Sequence, residues 1–139
     1  VELDATMAKT VLAADDDAMM RGMLRDLFRC EQGYDLCQQA TNGKEAVEFA
    51  VRCKPDLIIL DFVMPVMTGI AAAKALKQLM PSVPIILFSW HGEALFREAR
   101  FLASMVDRIV RKSDTVGLIE QVRTLAPVPE PTRLNFYIQ

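Results

Sequence analysis

Apolar runs and amphipathic stretches alternate along the chain. Lys9 to Ala14 (KTVLAA) reads as a short buried strand. The next stretch, AMMRGMLRDLF, sets Met19, Met20, Met23, Leu24, Leu27 and Phe28 at helical spacing on one stripe. Tyr34 to Ala40 (YDLCQQA) alternates weakly, as an edge strand does, and NGKEAVEFAVR returns to helical spacing, opened by Asn42 and Gly43. PDLIIL is a continuous apolar run of the kind a strand buried on both faces needs. An Ala-rich helix, TGIAAAKALKQLM, follows it and is closed by Pro81. Val83 to Phe88 (VPIILF) predicts a fourth strand, EALFREARFLA a fourth helix and Asp107 to Arg111 a fifth strand. The last helix, DTVGLIEQVRTL, offers Val116, Leu118, Ile119, Val122 and Leu125 for packing. Five strand–helix units with unbroken Val/Ile/Leu strands predict an α/β protein whose parallel sheet is covered on both faces.

Beyond residue 126 the pattern stops. PVPEPTRLNFYIQ carries three prolines in five residues. It reads as an extended linker, so residues 1–126 are expected to form the domain and 127–139 a Pro-rich tail, either a docking tail or the stub of a further module. The chain starts without an initiator Met, which fits a processed or excised segment. A net charge of -2 offers no basic field for nucleic acid. No apolar run approaches the ~20 residues of a membrane helix. Cys30, Cys37 and Cys53 are irregularly spaced, with one histidine, His91, in the whole chain. Buried or semi-buried free thiols in a reducing cytoplasm are expected rather than a disulfide or a zinc site.

The polar residues at the strand ends change the picture. Ligands of an open parallel sheet bind outside the carboxyl ends of its strands. Asp15, Asp16 and Asp17 follow the first strand and Asp61 the third; Ser89, Trp90 and His91 follow the fourth, and Lys112, Ser113 and Asp114 the fifth. Asp17 suits the N-cap of the first helix. Taken singly, Ser89 reads as a turn residue and Lys112 as a solvated loop charge. Together they put acids, a hydroxyl and an amine on one rim. Two like charges ~4 Å apart repel by about 4 kcal/mol at an effective dielectric near 20. A hard divalent cation such as Mg²⁺ relieves that repulsion and retains room for a phosphate. A carboxylate beside Mg²⁺, a lysine and a hydroxyl is an arrangement for phosphoryl transfer.

The stretches VLAADDDAMMRGML, LIILDFVMPVMTGI, VPIILFSWHGE and RIVRKSD closely resemble the receiver domain of two-component response regulators, from about Lys9 to Leu125. The resemblance implies a flavodoxin-like (βα)5 doubly wound sheet of strand order 2-1-3-4-5. It implies that Asp61 accepts a phosphoryl group from a phosphohistidine of a sensor histidine kinase or histidine phosphotransfer protein. Asp16 and Asp61 would hold Mg²⁺ directly, Asp15 largely through water, and the Val63 backbone carbonyl would add a ligand. Lys112 would contact the phosphoryl oxygens. Ser89 would carry the switch to the surface of the fourth helix, fifth strand and fifth helix, a face that also suits a homodimer. Such a protein is a cytoplasmic phosphoacceptor that assists its own phosphorylation and dephosphorylation, not an enzyme with turnover. His91 is expected on the rim of the site rather than as a phosphodonor.

Three positions depart from the family pattern. Ile109 stands where an aromatic switch residue is usual, Ser113 where a proline follows the lysine, and Trp90 where a small residue follows the hydroxyl. The stretch FLASMVDR likewise lacks the usual small residues. The phosphorylation set is intact and the relay atypical. The alternative is a pseudo-receiver, an interaction module not regulated by phosphorylation. An aspartate-nucleophile phosphatase would want a second acid where Val63 stands, and no G-x-G-x-x-G follows the first strand for a dinucleotide.

Overall fold

The structure is a computed structural model that describes residues 8–90 and 104–129. Five strands, β1 (Lys9–Ala14), β2 (Tyr34–Ala40), β3 (Leu57–Leu60), β4 (Ile85–Ser89) and β5 (Arg108–Arg111), form one parallel sheet of order β2-β1-β3-β4-β5. Among the described residues the helices are α1 (Ala18–Cys30), α2 (Gly43–Cys53), α3 (Gly69–Leu79) and α4 (Thr115–Leu125). The helix expected over EALFREARFLA, together with His91, lies outside the described residues.

Alternation along the three central strands feeds two cores. Leu12, Ala14, Ile58, Leu60, Ile85 and Leu87 point to one face, where Ala46, Ala50, Ala72, Ala73 and Leu76 of α2 and α3 cover them. Val11, Ala13, Leu57, Ile59, Ile86 and Phe88 point to the other, under Met20, Leu24 and Phe28 of α1 and Leu118, Ile119 and Val122 of α4. Each fully buried Leu, Ile or Phe contributes roughly 1.5–3 kcal/mol of transfer free energy. The alanines of α2 and α3 let those helices lie close on the sheet. This is the doubly wound arrangement expected of the sequence.

Strand β2 explains its own weak alternation. Val11 pairs with Leu36 and Leu12 with Gln38, so Cys37 is an extra residue, a β-bulge. One extra residue exchanges the two faces of a strand. Tyr34 and Leu36 accordingly pack with the α1/α4 core, and Ala40 packs with the α2/α3 core.

Caps close the helices where expected. Asp17 Oδ1 accepts from the Met19 amide, and Asn42 Oδ1 from the Glu45 amide. Two packing expectations fail for one reason. Met19 is 84% exposed and Val116 70%, although both sit at helical spacing with buried neighbours. Each lies in a helix's first turn, beyond the carboxyl ends of the strands, where no sheet lies beneath it. The thiols also differ from expectation: all three are free, but only Cys53 is half-buried, while Cys30 and Cys37 are exposed. Cys30 ends a helix and Cys37 stands on the edge strand of the sheet.

Packing continues past α4. Tyr34 Oη donates to the Ala126 carbonyl at 2.7 Å, and Val128 packs against the α1/α4 core. The Val128 side chain closes over Gly33, whose φ of +92° and lack of Cβ permit that approach. Arg123 makes a paired hydrogen bond to the Glu31 carboxylate beside it.

Candidate functional site

The carboxyl ends of β1, β3, β4 and β5 carry four buried polar side chains: Asp15, Asp61, Ser89 and Lys112. The sheet itself positions them. The Asp61 amide donates to the Ala14 carbonyl, the Asp15 amide to Ala40 and the Lys112 amide to Ser89, so each site residue continues a strand-to-strand ladder.

Lys112 Nζ lies 2.7 Å from Asp15 Oδ2 and 3.2 Å from Asp61 Oδ1. The exposed Asp16 completes a carboxylate cluster: one oxygen each of Asp15, Asp16 and Asp61 lie within 4.8 Å of one another. Burial pushes the Asp61 pKa up, and the Asp15 charge pushes it further; Lys112 and the Phe62 amide pull the other way. Three acids against one lysine leave the pocket short of positive charge. An all-oxygen donor set with that deficit fits Mg²⁺.

Ser89 and Lys112 correct their single-residue readings. Ser89 is the last residue of β4 and fully buried, not a turn residue. Lys112 is 5% exposed and ion-paired, not a solvated loop charge. Val63 follows Asp61 with an exposed side chain, and Trp90 stands 62% exposed just beyond Ser89. Ile109 pairs with Leu87 in the sheet and packs half-buried against the α2/α3 core. The Lys112–Ser113 bond is trans.

Three supports have a role in the site that the sequence pattern did not assign to them. Gly69 donates its amide to the Phe62 carbonyl, and a Cβ there would fall 1.9 Å from the Asp61 carbonyl oxygen. The glycine that closes the D-x-x-M-P-x-x-x-G stretch is therefore the residue that lets the β3–α3 loop fold back beside Asp61. The Gly43 amide at the start of α2 donates to the Met67 carbonyl and ties down the same loop. Arg21 of α1 reaches the Asp15 carbonyl at 2.9 Å, a contact that spacing alone does not announce.

Fold and pocket together define a class: a doubly wound α/β protein with a carboxylate–lysine pocket at the strand ends. Residues 11–123 match the family model of the response regulator receiver domain, and the chain belongs to that family. It is 36% identical to the chemotaxis protein CheY of Thermotoga maritima over 120 residues, 86% of this chain and 99% of that protein. The response regulator domain of T. maritima CheB superposes with a TM-score of 0.77 at 29% identity, covering 88% of this chain and 99% of that one. The response regulator TrrA of T. maritima, solved in complex with Mg(2+)-BeF, superposes with a TM-score of 0.75 at 30% identity, covering 84% of this chain and 98% of that one. Other relatives are much longer: the match covers 23% of the protein-glutamate methylesterase of Methanococcoides burtonii and 22% of one from Vibrio vulnificus. Receiver domains are phosphoacceptors that work with histidine kinases and effectors, and the Asp15–Asp16–Asp61 pocket is typical of their phosphorylation site.

Proposed function

We propose that this chain is a Mg²⁺-dependent phosphoacceptor, with Asp61 taking a phosphoryl group from a phosphohistidine of a partner kinase or phosphotransfer protein. The observation that carries this reading is the Lys112 ammonium held between Asp15 and Asp61 at the ends of adjacent strands. A carboxylate oxygen of Asp61 attacks phosphorus; the new O–P bond forms as the P–N bond breaks, and the electron pair stays on the partner's imidazole. Asp16, Asp61 and the Val63 carbonyl would hold the metal, with Asp15 acting through water. Mg²⁺ supplies positive charge against the phosphoryl oxygens.

The chain's own groups do the rest. Lys112 leaves its ion pair with Asp61 to meet a phosphoryl oxygen and stays anchored by Asp15. Gly69 and the Gly43–Met67 hydrogen bond hold the Asp61 loop rigid, so positioning is inherited from the fold. Ser89 offers a hydroxyl on the next strand. Ile109, aliphatic and packed against the core, has no aromatic ring to swing inward. The phosphorylated state is therefore read out at β5 and its neighbours by a relay without that rotamer change.

Incubation with Mg²⁺ and acetyl phosphate tests the reading. A mass gain of one phosphoryl group is expected, abolished by Asp61→Asn and by chelating the metal. A wild-type chain that takes no label from acetyl phosphate or from a phosphorylated histidine kinase would make it a pseudo-receiver.

A further inference from the structure

The turn from β1 to α1 runs through Asp15, Asp16 and Asp17, and its middle residue carries the exposed carboxylate of the acidic cluster. Among the described residues the Asp16 side chain makes no hydrogen bond or ion pair that would hold it there. Its aim is therefore set by the backbone on either side. Both flanking peptide units are held. The Asp15 carbonyl, in the peptide before Asp16, accepts from Arg21 Nη1 at 2.9 Å. The Asp17 amide, in the peptide after it, donates to Asp15 Oδ1 at 2.9 Å. A peptide unit is planar, so holding its oxygen or its N–H restricts the whole plane. With both planes held, φ and ψ of Asp16 are restricted, and with them the direction of its Cα–Cβ bond.

We propose that Arg21 is a positioning residue of the metal site: through the Asp15 carbonyl it aims the Asp16 carboxylate at Asp61, with which Asp16 would hold Mg²⁺. Arg21 has this role only where the pocket takes Mg²⁺, the reading on which it rests. The arginine is itself anchored. It is half-buried on α1, its amide donates to the Asp17 carbonyl at 3.0 Å, and its carbonyl accepts from Gln39 Nε2 of β2 at 2.8 Å. Ala40, the neighbour of Gln39, accepts from the Asp15 amide at 3.0 Å. Hydrogen bonds among β1, β2 and α1 thus close a ring around the turn.

Asp15 is fully engaged by that ring and by the pocket. Its amide donates to Ala40, its carbonyl accepts from Arg21, and its two carboxylate oxygens meet the Asp17 amide and Lys112 Nζ. It is a fixed post, and Asp16 beside it is the acid whose oxygens are open to a cation. The sign of the effect separates positioning from electrostatics. Arg21 brings a positive charge to a turn that carries acids, so on Coulombic grounds its removal would favour a cation. Loss of positioning works the other way.

Calorimetric titration of the unphosphorylated 139-residue chain with Mg²⁺ provides the test. Arg21→Met should weaken Mg²⁺ binding by about tenfold, as loss of a group that orients a metal ligand does. The Mg²⁺ concentration for half-maximal labelling by acetyl phosphate should rise by the same factor, while the labelling rate at saturating Mg²⁺ stays within about twofold of wild type. Arg21→Lys keeps the charge and one donor but shortens the reach; its affinity should lie between the two, and it serves as the test if Arg21→Met does not fold. Either variant binding Mg²⁺ as tightly as wild type, or a labelling defect that saturating Mg²⁺ does not repair, would overturn the role of Arg21 and leave the phosphoacceptor reading standing. A wild-type chain that binds no Mg²⁺ would overturn both.

Discussion

At Asp61 the sign of the pH dependence follows from its surroundings. Burial and Asp15 raise its pKa, so the folded protein holds this proton more tightly than the unfolded chain does. The stability that protonation contributes is fully present below the ordinary Asp value of ~3.9 and is lost as pH rises through the raised folded value. Asp61→Asn should therefore melt higher than wild type in metal-free buffer at neutral pH. The gap should close on acidification, as followed by calorimetry across pH. Lys112 has the opposite role: Lys112→Met would leave Asp15 and Asp61 buried without their counter-ion, at a cost of about 3–5 kcal/mol, visible in urea unfolding. Val66 is the strained residue of the loop. It is an exposed β-branched residue at φ 68°, in a tight turn closed by the Met67 amide and the Pro65 carbonyl at 2.7 Å. Val66→Gly should raise stability by about 1 kcal/mol, whereas Gly69→Ala should lower it by about 3 kcal/mol or more, because its methyl group would have to displace the Asp61 backbone.

Among the elements, the central strands were the most legible from the chain. LIIL of β3 and IILF of β4 are apolar at every position because both faces of the sheet are covered. Strand β2 was less so: its bulge is a property of pairing with β1, and YDLCQQA carries no local mark of where the extra residue falls. Met19 and Val116 show the same limit for helices, since spacing records an apolar stripe but not where the sheet beneath it ends. The site was legible to the extent that it consists of residues at strand ends. Gly69 and Arg21 act through backbone carbonyls, and side-chain chemistry does not advertise such contacts. The join between β2 and the end of α4 is a further element-level feature. Tyr34→Phe removes the donor to the buried Ala126 carbonyl and should cost about 1–3 kcal/mol in urea unfolding.

For the whole molecule, one sheet serves as mount, insulator and electrostatic frame. Its two cores hold five strand ends rigid, and the pocket at those ends concentrates negative charge that a divalent cation would balance. Among the described residues no helix is long and apolar enough to cross a membrane. Binding of Mg²⁺ to the folded state alone should raise the melting temperature in step with its concentration, by the equivalent of about 2.7 kcal/mol at a hundredfold excess over Kd. That gain should be lost when Asp16 is replaced by Ala. The claim on which the rest depends is that Asp61 itself carries the phosphoryl group. Borohydride reduction of the chain labelled with acetyl phosphate, followed by peptide sequencing, locates the acyl phosphate directly. Reduction should leave homoserine at position 61; homoserine at Asp15 or Asp16, or no homoserine in a labelled chain, would contradict it.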